Sequence, residues 1–272
     1  MKKLIFSLLI VASLNSNAQT VRQPLAVRYA GLGAYSTQFV DMFSGSSNQA
    51  ALAQIKSAGF GAYTERRFLL QELNQYSAIV AMPTSSGTFA IQGDYFGFSS
   101  YNESQLGIAY GRKVSNQLDV GVKINYSSVQ IAGYGNAGAI NFEAGSIFHL
   151  SEKVHAGIHV FNPVGGKFNK NSNEKLASAY KFGMGYEPSN KFFLSTEIVK
   201  QENLPVNVNV GMQYNIQSTI LFRAGISTNT NNSFAGVGFK IGQLRLDVNA
   251  AVHPQLGVTP GVLLLYQFGK EK

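Results

Sequence analysis

Residues 205–216 read PVNVNVGMQYNI, with an apolar side chain at every even position and a small or polar one at every odd position after Pro205. Val206, Val208, Val210, Met212, Tyr214 and Ile216 share one parity; Asn207, Asn209, Gly211, Gln213 and Asn215 share the other. Strict period two is the signature of a strand with one greasy face and one wet face. The pattern recurs: LDVGVKINYSS sets Leu118, Val120, Val122, Ile124 and Tyr126 against Asp119, Gly121, Lys123, Asn125 and Ser127. LRLDVNAAVH, AYKFGMGYE, AINFEAGSIFHL and TILFRAGIS alternate in the same way. Such a chain is a sheet protein, and the destination of its greasy face decides which kind.

Cutting at clusters of Gly, Pro, Asn and Ser predicts about fourteen strands, at 57–67, 72–83, 87–98, 103–114, 118–131, 138–150, 153–162, 178–188, 191–201, 205–216, 219–228, 233–242, 244–253 and 257–268. Soluble strands average about 5–6 residues, whereas a tilted strand that crosses a bilayer needs about 9–11. Most of these match the second figure. Connections after even-numbered strands are tight (PTSSG, SNQ, SEK, PSN, IQS, GQ), and those after odd-numbered strands include AGYGNAG, TNTNN and the long 162–177. An even strand count with short turns on one rim and longer loops on the other is the pattern of an outer-membrane barrel. Both termini then lie on the periplasmic side. Asp94, Lys123, Glu143, Lys181, Glu187, Glu197, Arg223, Lys240, Arg245 and Asp247 all fall on the wet face. That placement spares a cost of about 2–4 kcal/mol for each Lys or Arg that would otherwise meet lipid near the midplane. A soluble sandwich built from the same strands would need a very aromatic core and would leave open edges. The expected fold is therefore all-β, a transmembrane antiparallel β-barrel with its greasy face in outer-membrane lipid. Tyr95, Tyr110, Tyr126, Phe148, Tyr180, Tyr266 and Phe268, near strand ends, read as interfacial rings in a chain without Trp.

Composition agrees. Charged residues make up only 13% of the 272, against about 25% in typical soluble proteins. There is no cysteine, which excludes disulfides and thiolate metal sites. Lys2 and Lys3, the apolar run 4–14 and the small residues Ser16 and Ala18 read as a cleavable secretory signal, residues 1–18. Beyond it no apolar run approaches eighteen residues, so no helical span is expected. Removing the two lysines takes the formal charge from +8 to +6, 20 basic against 14 acidic residues, and no basic cluster exceeds two adjacent residues. An exported chain of this kind is not expected to bind nucleic acid.

Residues 19–56 do not alternate and read as turn, short helix and loop; the barrel then occupies 57–272. YAGLGAY at 29–35, Asp41 and NQAALA at 48–53 resemble the N-terminal motif of the outer-membrane barrels grouped with long-chain fatty-acid transporters (FadL-like) and with the PorV/PorQ proteins of the Bacteroidetes type IX secretion system. The family form is an Ala/Gly-rich stretch, an acidic residue and NPAGLA; here Gln49 stands for the Pro and Ala51 for the Gly. The likeness continues through most of the mature chain, including HVFNP and a C-terminal TPGVLLLYQF like a barrel-insertion signal. It implies fourteen strands with an N-terminal hatch inside or under the barrel, its motif carried by Asp41, Asn48, Gln49 and Ala50. It further implies a secretion-accessory barrel that binds secretion-system proteins, or alternatively an uptake channel for small hydrophobic compounds or a structural envelope barrel. Asp41 is expected to meet a lumen arginine such as Arg223 or Arg245, with no register to choose between them.

Little points to catalysis. His155 and His159 share strand parity but stand about 13 Å apart along a strand, too far for one metal ion; His149 and His155 flank a turn and can face each other. GVGFKIG at 236–242 has no helix after it, and no G-x-S-x-G occurs. No enzyme activity, cofactor or metal is expected. Lys123, Glu143, Lys181, Arg223, Arg245 and Asp247 are the expected polar lumen residues, and Tyr63, Phe96, Phe98 and Phe161, with lumen parity, are the candidate ligand contacts. The 162–177 loop, with Lys167, Lys170 and Lys175, is the candidate partner-docking surface.

Overall fold

The computed structural model describes residues 29–165, 176–228 and 232–269. The expected signal peptide, residues 19–28, and Lys167, Lys170 and Lys175 lie outside them. Fourteen strands form one closed antiparallel barrel in which each pairs with its sequence neighbours and β1 pairs with β14. They are β1 (Gly59–Arg66), β2 (Asn74–Pro83), β3 (Thr88–Phe98), β4 (Tyr101–Ser115), β5 (Leu118–Ile131), β6 (Gly135–His149), β7 (Val154–Phe161), β8 (Ala179–Ser189), β9 (Phe192–Gln201), β10 (Asn207–Asn215), β11 (Ile220–Ser227), β12 (Asn232–Ile241), β13 (Leu244–His253) and β14 (Gly257–Gln267). The seam runs from Gly59↔Gln267 to Glu65↔Gly261.

Period two explains the packing, inverted from that of a soluble sheet. On β5, Ile124 is 44% exposed while Lys123 beside it is 5% exposed. The largely apolar face points outward and the polar face is buried, so backbone groups are satisfied within the ladder and the outer surface suits lipid. Outward rings cluster at the rim that carries the C-terminal end of β14. Phe60 lies 5.7 Å from Tyr266, Phe89 4.7 Å from Tyr110, and Phe192 6.4 Å from Tyr214. Tyr76 and Tyr95 form a further pair at 6.4 Å toward the opposite rim.

The expected contrast in loop length is only partly present. On the rim away from the C-terminus, β3 and β4 are joined by Ser99 and Ser100 alone, and β5 and β6 by Ala132–Tyr134. AGYGNAG therefore supplies a tight turn plus the start of β6, not a loop. Gly133 and Gly135 adopt φ of 80° and 100°, a region that glycine enters without strain and that lets Ile131 pair with Gly135. Along the sequence the longest connections are 67–73 and 162–178, the second including 166–175, which lie outside the described residues. In the first, Phe68 and Leu69 hold φ of 54° and 62°, and Leu69 and Leu70 are left exposed.

The inverted pattern yields a depth-dependent expectation. Ile124→Arg, in the middle of β5, should destabilise the lipid-embedded barrel by about 2–4 kcal/mol, whereas Ile241→Arg, at the rim, should cost about 0–1 kcal/mol. Urea unfolding in lipid vesicles measures both, and equal effects would contradict a lipid-facing outer surface.

Candidate functional site

The lower half of the barrel interior, near the C-terminal rim, is occupied by residues 29–56. Three short helical turns, Gly31–Tyr35, Ser44–Ser47 and Gln49–Gln54, are joined by tight bends, and nearly every residue from Tyr29 to Leu52 is buried. Local hydrogen bonds hold the bends. Asn48 caps the third turn by accepting from the Ala50 N–H at 3.0 Å, and Asp41 Oδ1 accepts from the Phe43 N–H at 3.1 Å.

Glycines on the inward face make room for this segment. Gly111, Gly121 and Gly145 lie side by side on β4, β5 and β6. A Cβ on Gly111 would sit 2.6 Å from the Gln49 carbonyl oxygen, one on Gly121 would run into the Gln49–Ala50 backbone, and one on Gly145 into the Asn48 amide. Gly157 and Gly183, paired across β7 and β8, leave the space filled by the Tyr35 ring. Where the wall is not glycine it is apolar on the otherwise wet parity. Ile79, Leu263 and Leu265 pack with Met42, Phe43 and Leu52. Ile147 packs with Tyr35 and Ala50, and Phe193 stacks on Phe39 at 5.4 Å.

Polar anchors fix the orientation. Asp41 Oδ2 accepts from Arg223 at 2.9 Å and from Arg245 at 3.1 Å. Both arginines of the sequence expectation thus reach the same oxygen. Arg223, fully buried, also donates to Gln213 at 2.7 Å and to the Tyr29 carbonyl at 3.0 Å. Arg245 pairs with Asp247, which accepts from the Tyr29 hydroxyl at 3.3 Å. Asn48 donates to the carbonyls of Ser146 and Ile158 at 3.3 and 3.1 Å. Gln49 donates to Glu143 at 2.5 Å, so the residue in the place of the motif's Pro makes a lumen contact that Pro lacks the group to make. Ala51, in the place of the Gly, is wholly buried. Glu143 further accepts from Asn125 at 2.7 Å and lies 3.0 Å from His159 and 3.8 Å from Lys123.

Some anchors had no sequence signal beyond their parity. Glu187 accepts from Ser36 Oγ at 2.5 Å and from the Thr37 N–H at 2.7 Å. Gln54 donates to Asp119 at 2.5 Å, and Ser46 to Gln92 at 3.0 Å. The Tyr35 hydroxyl donates to Glu197 at 3.0 Å; burial, reinforced by that carboxylate, pushes its pKa well above the ordinary phenol value, so it stays a donor. His149 and His155 face each other at 2.9 Å, and His149 and Asp119 stand 2.8 Å apart. His155 lies 3.5 Å from Glu187, while His159 belongs to the Glu143 group. Among the described residues no three such side chains converge as a metal site.

The aromatic ligand candidates do not form one site. Tyr63 is buried and donates to Glu65 at 3.0 Å. Phe96 lies under the Arg67 guanidinium at 5.0 Å, Phe98 is at the rim and exposed, and Phe161 is on β7, away from the others. On the lipid side, Ala62, Ala78 and Gly93 form a row of small residues across β1, β2 and β3. They floor a cleft of about 610 Å³ edged by Tyr76, Tyr95, Val262 and Leu264. The β3 ladders are unbroken on both sides of Gly93, so the wall is closed there.

No family model matches the chain, and no curated protein matches it. Solved structures share its fold. The Ralstonia pickettii toluene transporter TbuX superposes with a TM-score of 0.68 at 12% identity, covering 91% of this chain and 98% of the other. The monoaromatic hydrocarbon channel CymD gives 0.66 at 12% identity, covering 92% and 98%. A Pseudomonas aeruginosa FadL homologue gives 0.62 at 11% identity, covering 92% and 99%. At these identities the likeness is one of fold alone.

Arg223→Ala removes one of the two guanidinium groups on Asp41 and should lower stability by about 3 kcal/mol. Arg66→Ala, on an exposed hydrogen bond to Asn74, should stay within about 0.5 kcal/mol. Gly121→Val should leave an inserted barrel whose residues 29–56 are cut readily by added protease; protection equal to wild type would mean that the glycine row does not seat the segment.

Proposed function

We propose that the protein is an outer-membrane channel for small hydrophobic compounds, and that residues 19–56 are its hatch. The observation that carries this reading is the segment 29–54 seated in the lumen, held by the buried Asp41–Arg223–Arg245 cluster. Fourteen strands enclose more space than inward side chains alone can fill, since about eight strands already reach that limit. A segment docked by a few polar anchors obstructs such a lumen and is displaceable without breaking the wall. The likeness in fold to a toluene transporter and a monoaromatic hydrocarbon channel supports the hydrophobic class of cargo. The type IX accessory role implied by the sequence resemblance draws no support from these neighbours, all of which are transporters, channels or a FadL homologue at TM-scores above 0.6. No catalytic chemistry is assigned. The C-terminal rim faces the periplasm, and the opposite rim, with the 67–73 connection, faces outward.

Deleting residues 20–54 behind an intact signal should leave an inserted barrel with several-fold higher single-channel conductance in planar bilayers. Toluene uptake by cells carrying the full-length protein should exceed that of cells lacking it. A deletion variant that inserts and conducts no more than wild type would remove the hatch role. Toluene uptake unchanged by the full-length protein would remove the hydrophobic-channel role.

A further inference from the structure

Near the C-terminal rim, beside the hatch, two carboxylates are joined through two imidazoles. His149 at the end of β6 and His155 on β7 are opposite one another in the ladder, with their Nδ1 atoms 2.9 Å apart. His149 Nε2 lies 2.8 Å from Asp119 Oδ2 on β5, and His155 Nε2 lies 3.5 Å from Glu187 Oε1 on β8. Both carboxylates also hold the hatch. Asp119 Oδ2 accepts from Gln54 at 2.5 Å. Glu187 Oε1 accepts from Ser36 Oγ at 2.5 Å and from the Thr37 N–H at 2.7 Å. In each case one oxygen faces both an imidazole and a hatch donor.

These contacts fix the tautomers. Ionised Asp119 only accepts, so His149 carries its hydrogen on Nε2 and, when neutral, has a bare Nδ1. His155 must then donate from Nδ1, which leaves its own Nε2 bare when neutral. That nitrogen is buried and makes no hydrogen bond. One added proton fits there and turns Nε2 into a donor toward Glu187. A second does not fit. It puts hydrogens on both Nδ1 atoms, 2.9 Å apart, and the contact between the rings becomes one of two donors. Each imidazolium is then drawn onto its own carboxylate, and so onto the oxygen that Gln54, or Ser36 and Thr37, already uses.

The other charges nearby are turned to water or engaged elsewhere. Lys113, opposite Asp119 on β4, is exposed, as are Glu152 and Lys153 in the β6–β7 turn and Lys56 after the hatch. On β9, Glu197 accepts from Tyr35. Farther along β8, buried Lys181 lies opposite His159, which belongs to the Glu143 group.

We propose that Asp119, His149, His155 and Glu187 form a proton-operated latch: the closed hatch tolerates one proton on the imidazole pair, and uptake of a second frees the Ser36–Thr37 and Gln54 anchors. The proposal rests on the hatch reading above and adds what loosens the hatch. Asp41, held by Arg223 and Arg245, stays behind as the pivot. The loosened state binds more protons than the closed one, so acid favours it. His149 is partly exposed, so protons reach the pair from the rim.

The test is double electron–electron resonance on the full-length protein in lipid nanodiscs, with nitroxides on Gln38→Cys and Ser85→Cys, both exposed positions in a chain without cysteine. The distance distribution should be narrow at about pH 7.5 and at least about twofold broader at about pH 5, conditions that bracket the ordinary titration of imidazole. His155→Gln and, separately, His149→Gln should keep it narrow at both. His159→Gln should broaden as wild type does, because His159 faces Glu143, the acceptor of Gln49. A wild-type distribution that stays narrow in acid overturns the latch. So does broadening that survives both His149→Gln and His155→Gln, or that only His159→Gln abolishes. Conductance separates the latch from the hatch reading. Higher conductance on deletion of 20–54, with a label distance that ignores pH, would keep the hatch and remove the latch. Broadening that depends on the imidazole pair, with conductance unchanged by the deletion, would keep the latch and remove the obstruction.

Discussion

Everything in this molecule depends on the closure of its hydrogen-bonded wall. A sheet in lipid has no water to satisfy an open edge, so β1 must find β14. Once it does, side-chain parity sorts the chain into an outside that lipid tolerates and an inside that must satisfy its own polar groups. The outside asks only for apolar surface, and Val122, Ile124, Phe142 and Ile158 supply it without specific partners. The inside is more demanding, because Lys123, Asn125, Asn141 and Glu143 are buried together and must be satisfied by one another.

Residues 29–56 resolve part of that demand. Their backbone lies close against the wall because glycine replaces larger residues on β4, β5, β6, β7 and β8. Their side chains complete the lumen's hydrogen bonds: Asp41 for two arginines, Gln49 for Glu143, Ser36 for Glu187. Apolar docking surfaces and polar anchors alternate around the circumference, which defines an orientation for the segment that packing alone would leave loose. In this arrangement the same polar groups stabilise the barrel interior and position the segment, so a change to one is felt by the other.

The barrel was legible in the sequence because it is coded locally. Parity can be read within ten residues, and the fourteen strands lie within a few residues of their expected places. The errors fell where glycine turned a presumed loop into a turn, as at Gly133 and Gly135, where backbone freedom and not polarity decides. The interior was far less legible, because it is coded at long range. Asp41 meets arginines 182 and 204 residues away, and nothing local chooses between Arg223, Arg245 or both. The segment's footprint did leave a trace: glycine and large apolar residues such as Ile147, Phe193 and Leu263 on the wet parity near one rim. That trace becomes readable only when register aligns the strands side by side.

The fit between the glycine row and the Gln49–Ala50 backbone also bears on the order in which the molecule is made. The segment leads the chain and β14 ends it, so the seam is the contact with the greatest separation along the polypeptide and carries the largest loop-closure entropy. Side chains and backbone of the segment touch strands around the whole circumference, the seam strands β1 and β14 included. Placing it afterwards into a finished cylinder would require it to enter through one rim and fold against the wall from inside. Winding the wall around it and sealing last avoids that passage. On this view the segment is enclosed as the wall closes, while the width of the barrel follows from its fourteen strands.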